Sequence, residues 1–183
     1  MRNFIILIFI LITSSLSANE WEDKKVFSKG KNTNSLSILS STDTSFFAPI
    51  IKSFLDKYPD IKIEYFVTGT ASLDEIFRKS PEKYDIIISS AMDLQLKLVN
   101  DGYAKKINQI DHPNWAKWRQ SLFAFTIEPA AIVLNKKAFK NIAIPKTRQD
   151  LIKELRSRST FFRNKIGTYD VRKSGLGYLF ATQ

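Results

Sequence analysis

Between residues 36 and 104, the spacing of apolar positions switches repeatedly between a two-residue and a 3.6-residue period. Residues 36–39, 61–67 and 85–88 have the short apolar or alternating pattern of β-strands. Residues 46–58, 73–77 and 90–102 follow these strands with apolar side chains at helical spacing. The succession of strands and helices predicts βαβ units around a parallel sheet, and hence an α/β fold.

Hydroxyl side chains stand where each predicted strand gives way to a helix, in residues 40–45, 68–72 and 89–90. Open parallel sheets bind ligands outside the carboxyl ends of their strands, and helix N-termini favour anions. The three loops therefore predict a polar, anion-accepting cleft. The alternative is that each serine or threonine is an ordinary helix cap. The patterns Ser72-x-x-Glu75, Ser90-x-x-Asp93 and Thr147-x-x-Asp150 are of this capping kind.

The N-terminus has the order of a secretory signal peptide. Arg2 precedes an apolar run over residues 4–12, and small, mildly polar residues follow to Ala18. We predict a signal peptide over residues 1–18, cleaved after Ser17 or Ala18. A membrane anchor is the alternative, but the run is shorter than the roughly 20 residues that span a bilayer. Export and the absence of cysteine indicate a bacterial envelope protein located in the periplasm.

The positive charge is concentrated in the last third of the chain. The net charge is +10, and residues 131–183 contain 12 basic and 3 acidic side chains. Because the chain is expected to be exported, a nucleic-acid partner is not predicted. An anionic small ligand or a membrane surface fits better, and a solvated lysine-rich face is the alternative.

Composition also divides the chain. Residues 19–34 are polar and read as a linker, and residues 35–122 contain the alternating strands and helices. Residues 123–135 form a long β-like stretch that Pro129 should bend, so we predict a segment crossing between two lobes. Residues 136–183 are then the start of a second lobe, with a strand beginning near Ile166.

Enzymatic signatures are missing from the sequence. The pair Gly175-x-Gly177 lacks the third glycine of a dinucleotide loop, because Phe180 stands there. His112 is the single histidine, cysteine is absent, and no G-x-S-x-G or H-E-x-x-H motif occurs. We therefore predict a non-enzymatic protein with no cofactor and no metal, and a secreted enzyme remains the alternative from a different class.

Four stretches resemble a known family: LSILSSTDTSFFAPIIKSFLDKYPDIKIEYF, YDIIISSAMDLQLKLVNDGYA, FAFTIEPAAIVLNKKAF and IGTYDVRKSGLGYLFATQ. They are similar to extracellular solute-binding proteins of bacterial ABC transporters, which have the periplasmic binding protein type II fold. The branch with iron(III)- and phosphoglycerate-type binding proteins looks nearest. The resemblance covers residues 36–183 and implies a parallel-sheet lobe one joined by crossing strands to lobe two.

The resemblance also implies the ligand residues and the partners. The ligand residues that match are Ser41, Thr42, Thr70, Ser89 and Ser90 in lobe one, and Tyr169, Ser174 and Gly175 in lobe two. Family members are longer, so we expect a C-terminally truncated lobe two, or a fragment. The implied partners of this monomer are a small anionic solute, organic or phosphorylated, and an inner-membrane ABC permease. A membrane sensor kinase is the alternative partner. Iron(III) is the alternative ligand, although the family's tyrosine pair is absent.

Overall fold

The computed structural model describes residues 21–127, 131–172, 174 and 177. Its strands are β1 (Asp23–Phe27), β2 (Asn34–Ser40), β3 (Ile61–Val67), β4 (Ile86–Ile88), β5 (Lys117–Trp118) and β6 (Leu122–Phe123). Its helices are α1 (Thr44–Lys57), α2 (Thr70–Lys79), α3 (Met92–Asn100), α4 (Arg148–Ser157) and α5 (Ser159–Phe162). The signal peptide predicted over residues 1–18 lies outside the described residues. Within them, no helix has the length and hydrophobicity to cross a membrane.

The main sheet has four strands in the order β1-β3-β2-β4. Strand β2 is central and pairs in parallel with both β3 and β4. Helices α1, α2 and α3 each follow one of these three strands. The prediction of an α/β fold built on parallel strands is therefore confirmed for this part of the chain.

Strand β1 was not predicted, and it makes the sheet mixed. Residues 23–27 pair antiparallel with β3, with Asp23 opposite Val67 and Phe27 opposite Ile63. The expectation of a polar linker over residues 19–34 is wrong for these residues. The pattern was misleading because β1 is an edge strand whose first four residues are exposed, so only Phe27 is buried in the core.

Apolar residues alternate between two cores, one on each face of the sheet, because neighbouring side chains of a strand point to opposite faces. Ile38 and Tyr65 pack with α1 residues Ile51 and Leu55 on one face. Their chain neighbours Leu39 and Phe66 belong to the other core, which takes side chains from α2 and α3. Both faces are covered, as a parallel sheet requires.

The remainder of the chain has little sheet. Strands β5 and β6 form a two-residue antiparallel hairpin, and β6 ends at Phe123. The long strand expected over residues 123–135 is absent from residues 124–127 and 131–135, and residues 128–130 lie outside the described part. The strand expected near Ile166 is also absent, since residues 165–170 have no regular secondary structure. Where one lobe ends and another begins stays a prediction.

Candidate functional site

The carboxyl ends of three strands lie level at one edge of the main sheet. Ser40, the last residue of β2, is paired with Val67 of β3 and with Ile88 of β4. Hydrogen bonds continue one residue further, from the Ser41 N–H to the Ile88 carbonyl at 2.9 Å and from the Thr68 N–H to the Ser40 carbonyl at 3.0 Å. The three hydroxyl loops therefore begin side by side at this edge.

Two of the predicted site residues are in direct contact. The Ser41 hydroxyl donates a hydrogen bond to Ser89 Oγ at 3.4 Å, and both side chains are partly buried. Ser89 Oγ also accepts the Ala91 N–H at 3.2 Å. This pair joins the loop after β2 to the loop after β4.

Thr42 is held at the same edge through its backbone. Its N–H donates to the Ser40 hydroxyl oxygen at 3.0 Å, and its carbonyl accepts the Tyr65 hydroxyl at 2.9 Å. Ser40 and Tyr65 are both fully buried. Burial is the main reason that the pKa of the Tyr65 phenol is raised above its ordinary value. The loop after β2 thus rests on buried hydrogen bonds.

The helices that begin at this edge have no side-chain caps. Their N-cap residues are Asp43 for α1, Gly69 for α2 and Ala91 for α3, and none makes a side-chain cap hydrogen bond. Helix α4 differs, because Thr147 Oγ1 accepts the Asp150 N–H at 3.1 Å, as the capping pattern predicted. The capping prediction is therefore confirmed for Thr147.

The same prediction is wrong at the other two positions. Ser72 lies inside α2, which begins at Thr70, and the exposed Ser90 precedes the N-cap residue of α3. The ordinary-cap explanation of the hydroxyl loops consequently does not hold for α2 and α3. Thr70 is the first residue of α2, and no hydrogen bond within the described chain joins it to Ser41 or Ser89.

Carboxylates from the N-terminal strand reach the same edge, because β1 runs antiparallel and so begins there. Asp23 Oδ2 accepts the hydroxyl of Thr44, the first residue of α1, at 2.5 Å. Glu22 Oε1 lies 3.3 Å from the position that a Cβ on Gly69 would take, at the start of α2. Asp43 and Asp93 add exposed carboxylates at the starts of α1 and α3. The charge at this edge is therefore more negative than the sequence suggested.

Aromatic rings extend from the core toward the chain after β6. Phe47 of α1 is stacked on Tyr65, with ring centroids 5.5 Å apart, and meets the exposed Phe125 edge-on at 6.4 Å. These rings provide an apolar surface near the hydroxyl loops.

The site residues predicted in the second lobe lie elsewhere. Tyr169 is exposed on a segment that lines a groove beside α4, and Ser174 Oγ accepts the Gly177 N–H at 3.2 Å. Gly175 lies outside the described residues. No hydrogen bond in the described part joins Tyr169 or Ser174 to the Ser41–Ser89 pair, so a two-sided site stays a prediction. The described residues also contain no group of three His, Cys, Asp or Glu side chains that could hold a metal.

The sequence analysis did not identify four residues that contribute to this candidate site, namely Glu22, Asp23, Phe47 and Tyr65. The alternating pattern places Tyr65 on a strand, but the backbone carbonyl of Thr42, which accepts its hydroxyl, is 23 positions away in sequence. The carboxylates of residues 22 and 23 could not be found, because their position depends on the unpredicted pairing of β1.

Residues 40–157 match the family model described as bacterial extracellular solute-binding protein. The fold is similar to a solved structure, the substrate-binding protein of the ABC transporter from Agrobacterium tumefaciens. The TM-score is 0.81 and the sequence identity 34%, over 87% of this chain. This chain spans 50% of that protein. No curated protein matches the sequence.

Proposed function

Since this chain belongs to the bacterial extracellular solute-binding protein family, we propose that it binds a small solute for an ABC transport system. We place it in the periplasm, with an ABC permease of the inner membrane as its partner. Its similarity to a substrate-binding protein of an ABC transporter supports this role. In this role the protein is not an enzyme, and it releases its solute chemically unchanged.

We place the solute at the edge formed by the carboxyl ends of β2, β3 and β4. The observation that carries the proposal is the Ser41–Ser89 pair, which joins two loops at the start of helices without side-chain caps. Uncapped N-terminal N–H groups are hydrogen-bond donors that a bound solute can use. Hydroxyl groups beside them can donate or accept, so the edge suits a solute with several polar groups.

The solute we propose is a compact organic monoanion. The helix N-termini favour one negative group, because they present free N–H groups and the positive end of the helix dipole. Asp23, Glu22 and Asp43 already place negative charge at the starts of α1 and α2. At 4 Å and an effective dielectric constant of 20, two like unit charges repel by about 4 kcal/mol. A doubly charged phosphate ester is therefore less suited than a carboxylate.

The remainder of the solute should carry hydroxyl or ammonium groups. Such groups can donate hydrogen bonds to Asp43, which is exposed at the start of α1. Phe47 and Phe125 provide an apolar surface for carbon atoms of the solute. Hydroxy acids and amino acids meet these requirements.

A ligand screen with two serine variants tests this function. Hydroxy acids, amino acids, phosphate esters and neutral sugars are screened by thermal shift, and hits are measured by calorimetry. Ser89→Ala removes a hydroxyl beside the carboxyl ends of the strands. The control Ser35→Ala removes an exposed hydroxyl near the start of β2, at the opposite end of the strands. We expect a monoanionic hit that Ser89→Ala weakens by tenfold or more, since a hydrogen bond to a charged group contributes about 1.5–3 kcal/mol.

Ser35→Ala should bind like the parent. Mass spectrometry of the released hit should show its original mass. A protein that binds none of the monoanions, or a Ser89→Ala variant with the affinity of the parent, would contradict the proposed site.

A further inference from the structure

The segment around α4 is strongly basic, and all of its basic side chains are exposed. We name residues 146–165, which contain α4 and α5, the basic segment. Seven basic and two acidic residues give it a net charge of +5. Its basic residues are Lys146, Arg148, Lys153, Arg156, Arg158, Arg163 and Lys165. Residues 19–130, in contrast, contain 15 basic and 15 acidic residues, so the excess positive charge is a local feature.

Little of this charge is neutralised within the protein. Glu154 pairs with Arg158, whose Nε lies 3.2 Å from a carboxylate oxygen. Five of the other basic side chains form no ion pair in the described part of the chain: Lys146, Lys153, Arg156, Arg163 and Lys165. Exposed cations of this kind create a positive potential that attracts an anionic surface.

Helix α4 combines this charge with an exposed apolar side chain. None of its residues is buried. Ile152 is 42% exposed and lies along one line of the helix surface with Arg148 and Arg156, which are four residues before and after it. Asp150 and Glu154 lie on the opposite side of the helix from Ile152, since two residues correspond to a rotation of about 200°. An exposed apolar side chain thus stands between two cations.

A second exposed apolar side chain follows in α5. Phe161 is 45% exposed, whereas the neighbouring Phe162 is buried and packs against Phe139. The Lys165 ammonium lies 3.9 Å from the centre of the Phe161 ring. Phe162 therefore fixes α5 to the protein, while Phe161 remains at the surface beside a cation. Aromatic rings and lysine side chains are suited to the boundary between an apolar and an aqueous phase.

This combination fits the surface of an anionic bilayer better than a small anion or an acidic polypeptide. A small-molecule site is concave and has converging polar groups, but these cations are exposed and spread along the whole segment. An acidic polypeptide would neutralise the charge, but Ile152 and Phe161 also need an apolar phase. A bilayer offers phosphates above an apolar interior, and interfacial helices with Lys, Arg and Phe use both.

We propose that the basic segment binds peripherally to a bilayer that contains anionic phospholipids. Its lysine and arginine side chains contact the phosphates, and Ile152 and Phe161 enter the headgroup region. With 10 residues, α4 is too short to span a bilayer, so it lies on the surface. The proposal goes beyond solute binding and does not depend on it. In the periplasm, this contact would hold the protein close to an inner-membrane permease.

A single fluorescent label on the full chain tests the proposal, because the sequence contains no cysteine. Ile152→Cys carries an environment-sensitive dye on α4. The control Ile107→Cys carries the same dye at an equally exposed position, also 42%, in the part of the chain with balanced charge. Each labelled protein is titrated with vesicles of equal parts phosphatidylglycerol and phosphatidylcholine, and with vesicles of phosphatidylcholine alone. Membrane binding by the apolar residues 4–12 does not by itself change the signal, because the dye reports only its own surroundings.

We expect the emission of the dye at residue 152 to rise with the phosphatidylglycerol vesicles and that at residue 107 to stay unchanged. Added salt should reverse the rise. In labelled Ile152→Cys, Arg156→Gln with Arg163→Gln should raise the lipid concentration at half-maximal signal by tenfold or more, because each basic side chain near an anionic membrane contributes roughly fivefold. Lys105→Gln with Lys106→Gln removes the same charge elsewhere and should leave this concentration within twofold.

Three results would overturn the proposal: equal responses at the two labelled positions, an equal response to vesicles of phosphatidylcholine alone, or no response. A response of the dye at residue 152 to polyglutamate but not to vesicles would also overturn it, since it would assign an acidic polypeptide. No solute is added, and Ser41 and Ser89 are unaltered. The outcome is therefore independent of the solute site.

Discussion

The Ser41 hydroxyl donates to Ser89 Oγ at 3.4 Å, across 48 positions of sequence. The contact is possible because β2 lies between β3 and β4 and ends level with both. Ser89 Oγ also accepts the Ala91 N–H just before α3. One hydroxyl thus fixes the loop after β4 against the loop after β2, and it does so without capping a helix.

Ser89→Ala should lower the stability of the fold, whereas Ser90→Ala should not. The Ser89 side chain makes two hydrogen bonds, so we expect its loss to lower the free energy of unfolding by about 1 kcal/mol. Ser90 is exposed and is not the N-cap residue, so its variant should stay within about 0.5 kcal/mol of the parent. Urea denaturation measures both. A larger effect for Ser90→Ala would mean that its hydroxyl caps α3 after all.

Phe27→Ala should show that β1 is part of the fold. Phe27 is buried in the core with Ile38 and Ile63, so truncation should cost about 3–5 kcal/mol of unfolding free energy. Val26→Ala is the control on the same strand, since Val26 is 51% exposed and should change stability by less than about 1 kcal/mol. Chemical denaturation gives both values. Equal small effects would indicate that residues 23–27 are detached from the sheet.

Most strands and helices of the main sheet could be predicted from local sequence patterns. Residues 61–65 alternate apolar and polar side chains before the apolar pair Phe66 and Val67, and the helix after them repeats apolar residues at helical spacing, so β3 and α2 could be predicted from neighbours in sequence. Strand β1 could not be predicted, because three of its five side chains are charged and its pairing with β3 joins the distant residues Asp23 and Val67. Residues 131–134 show the opposite failure. Their apolar run predicts a strand, but no neighbouring strand pairs with them in the described chain.

Gln120→Gly should stabilise the hairpin of β5 and β6. Its turn places Arg119 and Gln120 at φ values of 51° and 56°, in the left-handed region, which costs a non-glycine residue about 1–2 kcal/mol. Gln120 Oε1 is also buried with no partner among the described residues. Gln120→Ala removes this oxygen but keeps the strain. We expect the free energy of unfolding, measured by urea denaturation, to be about 1 kcal/mol higher for Gln120→Gly than for Gln120→Ala. Equal stabilities would show that the turn is unstrained.

Tyr65 should make stability fall at high pH. Burial raises the pKa of its phenol in the folded protein above its ordinary value near 10. Because the pKa of Tyr65 is higher in the folded than in the unfolded protein, its contribution to the free energy of unfolding is complete below about pH 10 and declines as the pH rises above it. Tyr65→Phe loses the hydrogen bond to the Thr42 carbonyl, at a cost of about 1 kcal/mol.

The measurement compares the free energy of unfolding of the parent and of Tyr65→Phe between pH 8 and pH 11. Their difference should be constant up to about pH 10 and shrink beyond it. Because the other titrating groups are common to both proteins, the difference isolates Tyr65. A difference that stays constant across the whole range would contradict this account.

The candidate site was predictable only in part. Ser41, Thr42 and Ser89 could be placed at one edge because parallel strands end together, and the structure brings Ser41 and Ser89 into contact. The pairing of the hydroxyls and the absence of helix caps depend on the residue at which each helix begins. For α3 the N-cap residue is Ala91 and not Ser90. The carboxylates of Glu22 and Asp23 depend on β1 and were beyond prediction from local patterns.

Amide NMR with the tightest-binding monoanion tests the central claim most directly. The solute is titrated into ¹⁵N-labelled protein, and the chemical shifts of Ser41, Ser89 and the first turn of α3 are compared with those of α4. We expect saturable shifts for Ser41, Ser89 and the first turn of α3, and unchanged resonances in α4. Shifts confined to α4 and residues 165–169, or no shifts at saturating solute, would contradict a solute site at the carboxyl edge of the sheet.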